Sequence, residues 1–85
     1  MTDPSLGSRL LSEWRARERL TQQAAGERLG TTGPTISRWE AGLATPELGA
    51  AVTIERIAGV PVAAWTIADA AADAPASVPT EGEAA

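Results

Sequence analysis

The chain has no cysteine and no histidine. Without cysteine there is no disulfide framework and no thiolate metal site. Without histidine the commonest metal ligand and general base is missing. Tyrosine is absent as well, and no carboxylate pair, metal-ligand spacing or phosphate-cradling loop stands out. These absences argue against an enzyme and against a bound metal or cofactor. The glycines of "GERLGTTG", residues 26–33, bracket a helix and a turn. They do not follow a strand, as a nucleotide-binding loop requires. No apolar run approaches the roughly 20 residues that span a bilayer. The start "MTDPSLGSRL" has no basic segment leading into an apolar one, so no secretory signal is expected. The expected setting is the cytoplasm, with no membrane partner.

Lysine is also missing, and all seven cations are arginine. Arginine suits bidentate recognition of phosphate and guanine, although arginine with abundant alanine and glycine also follows from a GC-rich genome. The net charge is −4, and it is unevenly placed. From Thr66 onward there are four acids (Asp69, Asp73, Glu81, Glu83) and no base, whereas residues 1–65 balance seven arginines against seven acids. The body is therefore neutral, and charge alone argues weakly for a nucleic-acid partner.

What is present is helical. Eighty-five residues make one small domain with a marginal core, which dimerisation would support. Leu6, Leu10 and Trp14 form an apolar stripe with Leu11 beside it. This predicts a first helix from about Pro4 to Glu18, entered through Asp3-Pro4. Thr21 caps a second helix, "QQAAGERL", which faces Ala25 and Leu29 inward and stops at Gly30. Gly26 in its middle allows another backbone to come close. Thr32 caps a third helix, with Pro34 in its first turn, Ile36 and Trp39 inward, and Gly42 at its end. Thr45-Pro46 is expected to open a fourth, buried along Leu48, Ala51, Ile54 and Ala58 and ended by Gly59. "VPVAAWTIADAAA", residues 60–72, is expected to be a fifth, with Val62, Trp65 and Ala68 or Ala70 inward. The expected architecture is an all-α, compact five-helix bundle over residues 4–72, followed by a disordered acidic tail, 73–85.

A helix pair joined by a short glycine-containing turn is the helix-turn-helix signature. The run "LTQQAAGERLGTTGPTISRWEAG" resembles the Cro/C1-type helix-turn-helix family of phage and bacterial regulators over roughly residues 6–66. The segment "TIERIAGVPVAAW" is similar to small prophage-encoded Cro-like proteins. The resemblance implies a lambda-repressor-like domain that regulates transcription by binding double-stranded DNA, as a repressor and a homodimer. It implies that Arg15 pairs with Glu40 to clamp the first helix over the pair. It implies that Gln22, assisted by Thr21 and Gln23, meets a phosphate at the second helix's N-terminus. Thr32 and Thr35 would lie along the groove wall, followed by Ser37. Arg38, opposite the packing direction of Ile36, would contact guanine. A dimer surface is expected around Val60, Val62, Trp65 and Ile67, because an exposed Trp and Val in a short terminal helix need cover.

The chain departs from the family at Gly33 and Pro34, where relatives carry side chains that hydrogen-bond bases. What remains there is apolar contact with a thymine methyl and a closer approach of the helix. Readout then shifts to Thr35, Arg38 and DNA shape. The loop "GLATP" lacks basic residues, which predicts a shallow salt dependence, and Thr31 replaces an aliphatic residue in the turn. These departures, with the neutral body and acidic tail, also fit a second reading. In it the fold serves as a protein-interaction module (an antitoxin, an adaptor or an inhibitor of a regulator), and the tail either meets a basic partner or only solubilises.

Overall fold

The computed structural model describes residues 4–68. Its α-helices are α1 (Leu6–Arg17), α2 (Gln22–Leu29), α3 (Gly33–Ala41) and α4 (Leu48–Ala58), followed by a 3-10 helix, Val62–Thr66. Hydroxyl caps set the entries of the first three. Ser5 Oγ accepts from the Ser8 N–H, Thr21 Oγ1 from that of Ala24, and Thr32 Oγ1 from that of Thr35. Each satisfies one of the donors that a first turn leaves without an intrahelical partner.

Helices α1, α2 and α3 end by one device. Gly30 and Gly42 sit at φ 78° and 77°. This turns the next N–H back onto the last turn, Thr31 to the Gly26 carbonyl at 2.7 Å and Leu43 to that of Arg38 at 2.9 Å. At the end of α1, Leu20 N–H bonds the Arg15 carbonyl at 3.0 Å, and Arg19 N–H bonds that of Ala16 at 3.1 Å. Here the left-handed position, φ 56°, is held by Arg19, whose Cβ disfavours it.

The core lies where these elements cross. α2 and α3 form the tightest pair. A Cβ on Gly26 would stand 2.7 Å from the Thr32 carbonyl carbon, so only glycine fits where α2 meets the start of α3. α1 packs on α3 and on the 3-10 helix. Buried Ser8 donates its hydroxyl to the Trp39 carbonyl, and Gly7 lies under the indole of Trp65. Trp65 meets Trp39 edge-to-face with centroids 6.4 Å apart. The Trp65 Nε1–H is buried with no hydrogen-bond partner among the described residues. α4 closes the other side against α2 and the 3-10 helix, burying Ala51, Ile54 and Ala58. The chain then returns to its start. Leu6 N–H donates to the Ile67 carbonyl at 2.7 Å, and Ser5 and Ala68 form an antiparallel bridge.

Several expectations are corrected. Ser5 caps α1, with Pro4 outside the helix; Asp3 lies outside the described residues. The buried face of α1 is Gly7, Ser8, Leu11 and Trp14, while Leu6 and Leu10 are half-buried at its edge. Thr45-Pro46 does not open α4: Pro46 is buried in the preceding segment, and the helix starts after Glu47. Leu48 is exposed. Spacings of three residues rotate the stripe by about −60° each. Leu48 therefore falls well off the direction shared by Ile54 and Ala58. The fifth element is a single 3-10 helix rather than an α-helix, held short by its tether to α1. Ala68 is exposed in the bridge. Ala70 and the expected acidic tail lie outside the described residues.

Two substitutions test this account by urea or thermal denaturation. Arg19→Gly relieves the left-handed Cβ and should stabilise the fold by about 1 kcal/mol. Gly7→Ala drives a methyl into Trp65 and should destabilise it by about 2 kcal/mol. Unchanged midpoints in both would contradict the backbone geometry described.

Candidate nucleic-acid interface

The Glu40 carboxylate, near the end of α3, gathers the other two helices of the first half. Arg15 of α1 donates Nε to Oε2 at 2.7 Å and Nη2 to Oε1 at 3.1 Å, a bidentate pair. Its Nη1 donates to the Leu20 carbonyl at 3.0 Å, closing the exit of α1. Gln22 of α2 donates Nε2 to Glu40 Oε1 at 3.2 Å. The side chains are 26% and 10% exposed for Arg15 and Glu40, between a solvated pair and a buried one. The hydrogen bond from Glu40 raises the Arg15 pKa; desolvation opposes this and coulombic attraction adds to it. A raised pKa means the stabilisation is complete below the unfolded value and is lost only as pH climbs through the folded one. Arg15 therefore stays cationic throughout the physiological range.

With the two helices clamped, α3 presents one outward face. Ile36 and Trp39 are buried, so helix periodicity turns Pro34, Ser37 and Arg38 away from the core. Arg38 is exposed, and no ion-pair partner is found for it among the described residues. Thr35 stands at the edge of this face. Its Oγ1 accepts the Thr32 hydroxyl at 3.0 Å, which leaves the Thr35 proton able to donate outward.

The start of α2 lies against the start of α3. A Cβ on Gly33 would meet Gln23 Cα at 3.2 Å and N at 3.3 Å. The absence of a side chain at this position thus serves the contact between the helices. Gln23, Glu27, Thr31, Thr32, Gly33 and Pro34 line an open cleft of about 280 Å³. The hydroxyl of Thr21 accepts the Ala24 N–H, and the Gln22 amide is turned toward Glu40. A second, larger trough, about 620 Å³, runs between the end of α2 and the start of α4 and includes Arg28, Trp39 and Thr53.

The structure does not assemble the expected dimer surface as one patch. Val60 and Trp65 are buried within the chain's own core, Val62 is half-buried, and Ile67 alone of the four is exposed. Gly7 and the edge contact with Trp39 take the indole inward. The sequence reading also missed three residues. Ser8 ties α1 to the backbone of α3, and its position three before Leu11 was the available signal. Gly7 makes room for Trp65. Glu27 borders both the cleft and the trough; nothing in its sequence context distinguishes it from a solvated acid.

The clamp is open to a double-mutant cycle. Arg15→Ala should cost about 2 kcal/mol of folding stability, between the values for surface and buried pairs. Glu40→Ala should cost at least as much, since it orphans both Arg15 and Gln22. The double variant should be less destabilised than the sum. Strict additivity in chemical denaturation would mean the two groups do not interact in solution.

Comparison with known proteins agrees with this geometry. No curated protein and no solved structure matches the chain. A family model described as helix-turn-helix matches residues 11–65, a span that contains the capped α2–turn–α3 unit, Arg15 and Glu40. The chain belongs to the Cro/C1-type helix-turn-helix family.

Proposed function

We propose that this protein is a sequence-specific DNA-binding transcriptional regulator, a small repressor of phage or bacterial origin. It acts as a homodimer that lays α3 in the major groove. The observation that carries the reading is the outward face of α3, with Arg38 exposed and unpaired among the described residues beside Pro34, Ser37 and Thr35. Arg38 is the residue for a bidentate contact with guanine. Pro34 offers its ring to a thymine methyl, and the Thr35 hydroxyl donates to the groove wall. Gln22 keeps a carbonyl oxygen and one amide proton beyond its bond to Glu40, and that proton meets a phosphate together with the N-terminus of α2. Thr21, Gln23 and Thr32 border the same end, and Gly33 supports it from behind. Two copies place their α3 helices about 34 Å apart on a pseudo-palindromic site.

A second reading is a protein-interaction module with weak DNA binding. It is favoured by one observation, the acid Glu27 beside the recognition end of α3, where phosphate would be repelled. A pull-down yielding one stoichiometric partner, with function indifferent to Arg38→Ala, would select it.

Fluorescence anisotropy on the promoter beside the protein's own gene tests the first reading. Arg38→Ala should weaken specific binding by about 1–3 kcal/mol and relax discrimination at one base pair. Gln22→Ala should weaken binding to all sequences alike and reduce the salt slope by about one. Absence of wild-type binding at low salt, with the chain folded and dimeric, would defeat it.

A further inference from the structure

Each of the four α-helices is followed by a left-handed backbone position. Glycine holds three of them, Gly30, Gly42 and Gly59, and Arg19 holds the fourth at φ 56°. A side chain in this conformation carries a strain that glycine avoids. A strained residue persists where the strain serves a function. Within the chain Arg19 serves none that the structure shows. It is exposed, and its guanidinium has no hydrogen-bond or ion-pair partner among the described residues. The compensating interaction therefore comes from outside the chain.

The charges around Arg19 say what kind of group supplies it. Arg15 is neutralised by Glu40. Glu18, next to Arg19 in the chain, accepts from Arg28 Nη1 of α2 at 3.4 Å. Glu13, one turn earlier on α1, takes Arg9. Arg17 is exposed and, like Arg19, has no ion-pair partner among the described residues. The exit of α1 thus carries two uncompensated positive charges, and their complement is an anion that guanidinium groups bind well, such as a phosphate. The place of the turn narrows the choice. Arg15 Nη1 donates to the Leu20 carbonyl, and the Leu20 N–H donates back to the Arg15 carbonyl. Beyond this closed turn, Gln22 bonds Glu40 near the end of α3, and the backbone of Gln23 abuts Gly33 at its start. The start of α2 therefore runs alongside α3, and the turn that precedes it lies beside the same helix.

We infer that Arg19 is a DNA-phosphate contact, reaching from the α1–α2 turn to the backbone of the duplex whose bases α3 reads. Arg17 adds to the positive potential at the same place. Together they supply the backbone attraction that the segment "GLATP" lacks, so the salt dependence is steeper than that loop alone would give. The inference rests on the reading of the chain as a DNA-binding regulator and adds to it a contact outside the helix pair. It also sets stability against binding: the strain is carried in the free protein and offset in the complex.

The test combines urea denaturation with fluorescence anisotropy of the full chain, on the duplex beside its own gene and on a random duplex of equal length. Arg19→Gly should raise the denaturation midpoint and yet weaken binding to both duplexes about five- to tenfold at roughly 0.1 M salt, with the salt slope reduced by about one. Because that variant folds better, unfolding does not account for the loss. Arg19→Asn, uncharged and tolerant of the left-handed region, should bind like the glycine variant. Arg19→Lys keeps the charge and should stay within about twofold of the wild type. A glycine variant that binds as tightly as the wild type, or a lysine variant no better than the glycine one, would overturn the inference and leave the regulator reading in place. A folded wild type that binds neither duplex at low salt ends both.

Discussion

One carboxylate holds the working half of this molecule together. Glu40 takes two hydrogen bonds from Arg15 and one from Gln22, so α1, α2 and α3 meet at a single side chain. Arg15 also bonds the Leu20 carbonyl, which fixes the turn leading into α2. These helices are 8–12 residues long. Helices of that length are marginal in isolation and acquire their stability from tertiary contacts. The angle between α2 and α3 is therefore set by three constraints: the Glu40 hub, the close approach at Gly26, and the apolar contacts of Ala25, Leu29 and Ile36. Any ligand read jointly by the N-terminus of α2 and the outer face of α3 depends on that angle. Gln22 makes the dependence direct, because one amide links the clamp to the end of α2.

The same constraint accounts for Gly33. At the tip of a recognition helix, a residue without a side chain looks like a loss of specificity. In the structure its bare Cα faces the backbone of Gln23 at a distance that leaves little room for a methyl. Glycine here brings the two helix N-termini together and forms one wall of the cleft with Pro34 and Thr32. On the proposed reading, the tip contributes shape and an apolar surface, and hydrogen-bonding discrimination passes one turn along to Arg38. The Thr32–Thr35 hydroxyl pair sits between the two and holds the first turn of α3 rigid.

Much of this was legible in the sequence because it is local. The hydroxyl caps Thr21 and Thr32 follow from hydroxyl residues set just before an apolar-periodic run, and the glycine stops of α2, α3 and α4 follow from glycines just past one; at α1 the cap is Ser5, not the expected Asp3-Pro4 entry. Arg15 and Glu40 were legible only through resemblance, since nothing in their 25-residue separation predicts contact. What escaped was set at long range. The apolar stripe of α1 was read one residue out of phase, because Leu6 and Leu10 cover the edge of the core while Gly7 and Ser8 enter it. Those small residues are buried because Trp65 and the Trp39 carbonyl come down on them from distant parts of the chain. The last element was read as an α-helix because its alanines favour one. The return of Ile67 to the Leu6 amide takes up the chain in an extended segment instead. Val60 and Trp65 were expected outside for the same reason: a terminal helix looks uncovered until its tether is known.

A small core tolerates few local defects, and this one carries at least two. Arg19 stands in a left-handed conformation that costs about 1–2 kcal/mol. The Trp65 indole N–H is buried without a partner among the described residues, a group whose desolvation costs about 1–3 kcal/mol. Net stabilities of domains are about 5–15 kcal/mol, so together these defects are a substantial fraction of the total. Neither side chain is a member of the Glu40 hub, yet both border the elements it joins. Arg19 stands within the turn that the Arg15–Leu20 bonds close, and Trp65 packs over Gly7 and edge-to-face against Trp39. The defects therefore reduce the margin against unfolding at the turn into α2 and at the packing of α3, the same places where the Glu40 hub and the close contact at Gly26 supply it.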